Sequence, residues 1–519
     1  MNILATFKRF FIKPKQAEAS TRDYWGAMQS RLTNDWAGTA GNADAEIRSS
    51  LATLRNRCRD LERNNDYARR YFKLLENNVL GADGIRLQMK VREMRQDPKS
   101  KKWVEQYDTR ANRIVEDKWW EWGQAGVCTL SRSLTWVDLQ RMVLRSVARD
   151  GCILVRKHFG NNLPHKFALE PIEADQLDID HNASLPGGRV IRLGIQYDAT
   201  GAPEFYHILR NHPGELFQPR VGRSGAPWRE AVPASQCYHV FMPERVGQST
   251  GVPWLISAMT RLKHLAAYEE AEVVAARMGA AKMGFLVPNA TGMPGYTGPE
   301  APGGKKYGDV TPGSIEQLPY GMNFQAFDPT HPNSAFKDFI KASLRGISAG
   351  LGVSYTSLAN DLEAVNYSSI RAGLLEEREE WKTIQGWFIS HFVSPVFNDW
   401  FEQVMAFGML TDGVITLPIS KQEKFNAPEW KPRRWGWVDP LADLQAQVLA
   451  VDKGFKSRRQ MIAENGGDIE ETFSDISADE SLAEQFGLDF DESEQQANAQ
   501  KEKPKSPADP AKPLTTEKD

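Results

Sequence analysis

The sequence predicts an α+β fold of more than one domain, with a helical hairpin that carries a small module at its tip. Three observations support this. Apolar residues recur at helical spacing in Asp44–Asn78, Val252–Lys282 and Pro332–Gly350. Strand-like runs separated by turn signals fill the stretch from Cys152 to Met242. A Gly/Pro-rich insert, Pro288–Pro332, lies between the second and third helical runs. With 519 residues and 41% hydrophobic content, the chain has ample material for a buried core and enough length for about two to four domains.

Composition narrows the function. The balance of 64 Lys+Arg against 67 Asp+Glu leaves a net charge of −3, which excludes a bulk polycation, so any nucleic-acid contact must be local. Cys58, Cys128, Cys152 and Cys237 are far apart and form no CxxC pair, and no secretory apolar segment opens the chain. A disulfide scaffold or zinc ribbon is therefore not expected, and a reducing compartment fits. No uncharged apolar run approaches the length of a membrane span, and no membrane partner is expected. Met1–Lys15 is basic and aromatic and is expected to be a frayed terminus.

Taken in order, Arg22–Asn42 carries Tyr24, Trp25 and Trp36 and is expected to be an extended arm. Asp44–Asn78 predicts one helix with Gly81 as its stop. Its Arg48, Arg55, Arg57, Arg59, Arg63, Arg69 and Arg70 are expected on a solvated face. Ile85–Val91 alternates like a strand, and Ser100–Trp122 has helical period. Thr135 is placed to cap a helix that Gly151 ends. Cys152–Phe159, Lys166–Ile179, Arg189–Tyr197, Glu204–Arg210 and Gln236–Met242 are expected strands of an antiparallel sheet.

Pro253 is expected in the first turn of the next helix, whose inner residues are Leu255, Met259, Leu262, Leu265 and Val273. After the insert, where Ser314–Phe327 has room for two short strands, a second helix places Phe336, Phe339, Ile340, Ser343, Leu344 and Ile347 on its apolar face. Lys337, Lys341 and Arg345 recur at i, i+4 and i+8, which aligns three cations in one stripe on its other side. A short loop, Val353–Asn366, leads into the longest helical pattern, which runs to about Phe407. Pro395 inside that pattern predicts a kink near His391–Val393. A strand-like return at Gly413–Pro418 and a Trp-rich stretch, Trp430–Trp437, follow, and Asp439–Asn465 is helical again. Beyond Ala463 acids dominate, and from about Glu492 the composition is that of a disordered tail.

No pattern of residues asks for catalysis or a cofactor. Gly247-Gln248-Ser249-Thr250-Gly251 spells GxSxG, but Pro243–Val246 separates it from the preceding strand. A nucleophile elbow needs the strand to run straight into the turn, so a serine hydrolase acting through Ser249 is only a remote alternative. Gly303-Gly304-Lys305-Lys306 lacks the spacing and the Ser/Thr of a phosphate-binding loop. The histidines show no metal-ligand spacing, and Glu376-Glu377 with Glu379-Glu380 is expected as a solvated helix face; no metal site is expected.

Three stretches carry a resemblance. Arg245–Glu272 (RVGQSTGVPWLISAMTRLKHLAAYEEAE), Phe327–Tyr355 (FDPTHPNSAFKDFIKASLRGISAGLGVSY) and Asn366–Trp381 (NYSSIRAGLLEEREEW) together resemble the portal proteins of lambda-type tailed bacteriophages. The resemblance extends more loosely from about Asp23 to Phe490. It implies a portal-type fold and a dodecameric ring at one capsid vertex, the channel through which double-stranded DNA is packaged and ejected. The implied layout is a flexible segment at 1–22, an α+β wing at 23–250, stem helices at 251–283 and 332–352 around a clip at 284–331, and a tunnel loop at 353–366. A kinked helix with a return to the wing at 367–438, a helical crown at 439–490 and a disordered tail at 491–519 complete it.

Implied partners are further copies of the chain, DNA bound without sequence preference, the terminase large subunit, a head–tail connector, and the major capsid and scaffold proteins. The implied location is the virion, with the host cytoplasm during assembly. On this resemblance Lys337, Lys341 and Arg345 line the channel, and Asn360, Asp361, Glu363 and Asn366 form its constriction. A head–tail adaptor ring is the main alternative; it would be equally oligomeric and non-enzymatic but would not show the helix–insert–helix–loop order.

Overall fold

The computed structural model describes residues 31, 41–96, 101–215, 229–280, 284–288, 300–301, 305–306, 322–326, 335–363, 367–436, 440–464, 467 and 469–486. The N-terminal arm, most of the Gly/Pro-rich insert including Gly303 and Gly304, Asn366 and the C-terminal tail lie outside them.

Helices α1 (Ala43–Asn64) and α2 (Asp66–Val79) come first. Strands β1 (Arg86–Met89), β2 (Arg92–Gln96) and β3 (Trp103–Tyr107) lead to α3 (Thr109–Trp122) and α4 (Trp136–Asp150). The strands β4 (Cys152–Phe159), β5 (Phe167–Ile172), β6 (Ala183–Ser184), β7 (Val190–Arg192) and β8 (Ile195–Tyr197) follow. Next are β9 (Pro203–Leu209), β10 (Arg229–Pro233), β11 (Cys237–Phe241) and α5 (Met259–Ala280). Between α5 and α6 (Phe336–Leu351) lie β12 (Gly284–Pro288), β13 (Glu300–Ala301), β14 (Lys305–Lys306) and β15 (Met322–Ala326). The remainder is α7 (Tyr355–Ala359), α8 (Tyr367–Phe388), α9 (Ser394–Ala406), α10 (Gln422–Phe425), β16 (Pro428–Lys431), α11 (Pro440–Asp452), α12 (Arg458–Glu464) and α13 (Ile469–Phe486).

The chain divides into two units. The first comprises residues 1–73, 125–134 and 142–360, the second residues 74–124, 135–141 and 361–519. In the first unit, a five-stranded sheet of order β10-β9-β8-β7-β6 and a three-stranded sheet of order β11-β4-β5 are built from antiparallel pairs. Strand alternation drives their inner faces together: Ile195, Tyr197, Tyr206, Ile208 and Val232 pack with Leu154, Ile172, Leu177 and Cys237. Cys152–Val155 are buried without alternation, as a strand flanked on both sides requires.

Helix α1 starts where Asn42 accepts from Ala45 N at 2.7 Å, with Asp44 and Glu46 in the first turn where the helix dipole favours acids. Its inward face is Ile47, Leu51, Arg55, Cys58 and Leu61. Arg55 is thus not on a solvated face. It is 1% exposed, and its guanidinium donates to Asp150 O at 2.8 Å and Ala174 O at 3.1 Å, with Asp175 at 3.4 Å. Arg59 joins Asp150 at 2.7 Å, Asp175 at 2.5 Å and Glu173 at 3.1 Å. Arg48, Arg57, Arg63 and Arg69 are exposed as expected, and half-buried Arg70 donates to Ser357 O at 3.1 Å. At the end of α4, Gly151 takes φ 88° and faces Gly251; a Cβ on Gly251 would lie 2.0 Å from Gly151 O, so both positions require glycine.

The second unit is built on aromatic rings. Trp119 lies 4.7 Å from Trp122, 5.0 Å from Trp400 and 5.4 Å from Phe397, and Trp136 stacks on Phe392 at 5.5 Å. Thr135 and Asp138 cap α4 reciprocally: Asp138 N donates to Thr135 Oγ1 at 3.1 Å and Thr135 N to Asp138 Oδ2 at 3.2 Å. Buried Gln385 places its amide nitrogen 3.1 Å from the carbonyls of Asn78, Val79 and Arg433. Strands β1 and β16, and β2 and β3, form two antiparallel ribbons.

A π turn stands just before Pro395, where the sequence predicts a kink. A π turn, Ile389–Val393, joins α8 to α9, and Ser394 N donates to Ile389 O. Proline has no N–H to give the His391 carbonyl, and its ring would clash there, which the wider π turn accommodates.

Several elements differ from the sequence expectation. Asp44–Asn78 is two helices, because Asn65 turns extended and its side chain accepts from Ala68 N at 3.0 Å, capping α2. Ser100–Trp122 is not all helix: Trp103–Tyr107 pairs with β2, and Asp108 starts α3 by accepting from Ala111 N. The first hairpin helix begins at Met259, not Val252; Pro253 lies in a run of turns in which Ile256 N reaches Pro253 O at 3.3 Å. The loop 353–366 contains α7, capped by Ser354. Gly413–Pro418 holds an isolated Thr411–Thr416 bridge instead of a strand, and Gly454, at φ 76°, divides Asp439–Asn465 into α11 and α12.

Candidate nucleic-acid interface

Helices α5 and α6 form an antiparallel pair within the first unit. Ser257 Oγ donates to Gly350 O at 2.8 Å, and the Arg261 guanidinium lies against Gly346, where a Cβ would meet it at 2.4 Å. Farther out, Tyr268 contacts Phe339 at 4.9 Å and Phe336 at 5.8 Å. The strands between these helices pair β12 with β15 and β13 with β14, so the chain leaves α5 and re-enters α6 through a β-containing module. An open groove of about 430 Å³ runs between the helices, lined by Arg261, His264, Leu265, Phe339, Ala342 and Ser343.

On α6, Leu344, Ile347, Ser348 and Leu351 are buried, while Phe336 and Phe339 meet Tyr268. That leaves one side open. Lys337 and Arg345 are exposed on α6 and Lys341 is half-buried, with Ala342 and Ala349 exposed beside them. Arg345 lies 5.6 Å from the centre of the Tyr355 ring, which holds its guanidinium near the start of α7. Gly352 ends α6 at φ 66°, in the left-handed conformation that glycine supplies without strain. Asn360 ends α7 at φ 53°, a conformation asparagine tolerates better than most residues. Asp361 Oδ1 then accepts from Glu363 N at 2.9 Å, and Leu362 between them is 65% exposed.

Other chemistry falls away on geometry. Ser249 is buried, with its Oγ donating to Asp44 Oδ2 at 2.6 Å and its N to Asp44 Oδ1 at 2.8 Å; it ties the β11–α5 link to the start of α1. No helix leaves that turn before Met259, so the nucleophile elbow is absent. Desolvation, helped by the Arg55 charge, pushes the nearby half-buried His239 down to about 3, and its Nε2 lies 3.5 Å from Thr250 Oγ1. Glu173, Asp175 and His212 bring ligand atoms within 4.8 Å of one another, a cluster that sequence spacing did not reveal. The Arg59 guanidinium already pairs with both carboxylates there, so the cluster's charge is met by the protein.

A larger groove of about 790 Å³ in the second unit mixes Arg110, Arg113 and Lys118 with Asp117, Glu121 and Asp412. Equal numbers of both signs give phosphate no preferred surface, whereas the α6 row is cationic throughout. Among the described residues no helix is long and apolar enough to cross a membrane.

The family described as phage portal protein, lambda family, matches residues 29–385. The chain belongs to that family. It is 33% identical over 475 residues to a "probable portal protein" of Halomonas phage phiHAP-1, covering 90% of this chain and 88% of the relative. The portal protein of Escherichia phage N15 is 23% identical, with 85% of this chain and 86% of the relative covered. Portal protein B of Escherichia phage lambda is 23% identical, with 85% of each chain covered. A chain in the neck of a native gene transfer agent particle covers 80% of this chain and 91% of its own length at 13% identity, with a TM-score of 0.38. The lambda-family portal proteins, to which the chain belongs, are structural components of the bacteriophage capsid with a role in DNA packaging.

Proposed function

We propose that the protein assembles as a dodecameric ring at one vertex of the capsid and forms the channel through which double-stranded DNA enters and leaves. The observation that carries the channel assignment is the cationic row on α6, in which Lys337 and Arg345 are exposed and Lys341 is half-buried. In a single copy such a row is a weak anion site. Repeated around a ring, it becomes belts of positive charge that meet a regular polyanion at many shallow contacts. Asn360, Asp361, Glu363 and Asn366 form the constriction, where Asp361 and Glu363 keep phosphate from binding tightly. Base reading is not needed.

The module between α5 and α6, residues 284–331, docks the terminase large subunit during packaging and the head–tail connector afterwards, while other faces meet the major capsid and scaffold proteins. The ring forms in the host cytoplasm and remains in the virion. The family match over residues 29–385 favours this reading over a head–tail adaptor.

The test is to replace Lys337, Lys341 and Arg345 together with glutamine. Rings should still assemble, but packaged length or retention of DNA should fall, and binding of DNA to purified rings should lose part of its steep salt dependence. Normal packaging and retention with an unchanged salt slope would defeat the channel assignment.

A further inference from the structure

Helix α7 has five residues, Tyr355–Ala359, too few for a helix to persist in water by itself, so its place comes from what fastens it. At its start it is joined to α6. Val353 N donates to Ser348 O at 3.2 Å, and Ser354 caps α7 by accepting from Ser357 N at 3.2 Å. Val353 and Leu358 are buried, and the Arg345 guanidinium lies 5.6 Å from the centre of the Tyr355 ring.

The fastening at its other end comes from α2. The last carbonyls of a helix have no partner within the helix, and Arg70 Nε donates to one of them, Ser357 O, at 3.1 Å. Arg70 is half-buried and projects from a turn that is itself pinned to α5. Tyr67 Oη donates to Glu269 Oε1 at 3.0 Å, and Asn65 Nδ2 reaches Leu262 O at 3.5 Å. Tyr71 and Phe72, next along α2, are buried, so the guanidinium starts from a fixed base. Beyond α7 the chain changes character: Asn360, at φ 53°, turns it out of the helix, and Asn360, Leu362 and Glu363 are exposed. A helix held at both ends thus stops at the first residue of the proposed constriction.

We propose that α7 is the bracket of the constriction and that Arg70 is its positioning residue. By holding Ser357 O, Arg70 fixes the point from which Asn360, Asp361 and Glu363 are aimed, without touching DNA itself. The proposal rests on the reading of those residues as a constriction and adds what keeps them in place.

Hydrogen exchange of the full-length protein reads the bracket directly. Leu358 N, which donates to Ser354 O at 3.1 Å, should exchange slowly in the unsubstituted chain. Arg70→Met keeps the aliphatic stem and removes the donor. It should speed exchange across residues 354–360 by about tenfold, as loss of a hydrogen bond from a charged group implies, while peptides from β4, β5, β9 and β10 keep their rates. Arg70→Lys, whose ammonium can donate to the same carbonyl, should restore most of the protection. Particles carrying Arg70→Met should lose DNA retention, and those carrying Arg70→Lys should regain it. Unchanged exchange in Arg70→Met, a rise spread over the whole chain, or a local rise with normal retention would each overturn the proposal. Asp361→Asn with Glu363→Gln probes the underlying reading separately. Normal packaging and retention in that double variant, beside a local rise in exchange in Arg70→Met, would remove the constriction, and the positioning role with it.

Discussion

Arg55 is enclosed by the chain and satisfied by it: two backbone carbonyls, the Cys152 sulfur and Asp175 surround its guanidinium. A buried cation of this kind is costly to desolvate, and its removal leaves the groups it served without a partner. Arg55→Met is therefore expected to lower stability by about 3–5 kcal/mol in denaturant unfolding; a loss under about 1 kcal/mol would show that the guanidinium ties nothing together. Its burial was not read from the sequence, which placed it with the other arginines on a solvated face, although Leu51, Arg55 and Cys58 share one helical face. Its partners at Asp150, Ala174 and Asp175 were not legible, being about a hundred residues away.

His239 makes a second prediction at this scale. Burial holds it neutral and pushes it down to about 3 from an ordinary 6.5, and burial also lowers His181 and His207. Below pH 6.5 the unfolded chain binds protons that the folded chain refuses, so stability is full above that pH and falls as pH drops toward about 3. His239→Phe should flatten this acid limb in unfolding curves measured between those values. An acid limb that keeps its slope would assign it to other groups.

At the scale of elements, the bent helix shows how one residue and its surroundings share control. Pro395 made the bend legible from sequence. The structure adds why it is a π turn: Phe388 and Phe392 before Pro395, and Phe397, Trp400 and Phe401 after it, are all fully buried, so both halves are held in register. Ser390 and His391 also direct side chains to the Trp387 carbonyl at 2.9 Å. Pro395→Ala should consequently keep the π turn and change stability by less than about 1 kcal/mol, which a structure of the variant and its unfolding curve would check. A straight helix would mean that proline alone imposes the bend. The α5–α6 pair was legible as a hairpin, but its close approach was not. That approach depends on Gly346 and Gly350 facing Arg261 and Ser257, a pairing that becomes visible only when the helices are side by side.

At the scale of the whole molecule, function arises in repetition. One copy carries three cations on a helix; in the proposed ring they would become a channel lining, which is why the glutamine substitutions are expected to spare assembly and weaken DNA retention. The sequence by itself determined the order helix, insert, helix, loop and bent helix, the strand runs from Cys152 to Met242, and the stretches that resemble lambda-type portal proteins. These depend on local spacing and on motifs read along the chain. Only the tertiary structure decided that Ser249 is a buried tie to Asp44, 205 residues away, that Arg55 and Arg59 face Asp150 and Asp175, and that Leu344, Ile347, Ser348 and Leu351 form the buried side of α6. Periodicity tells which residues share a face; which face is covered depends on contacts between residues far apart in sequence.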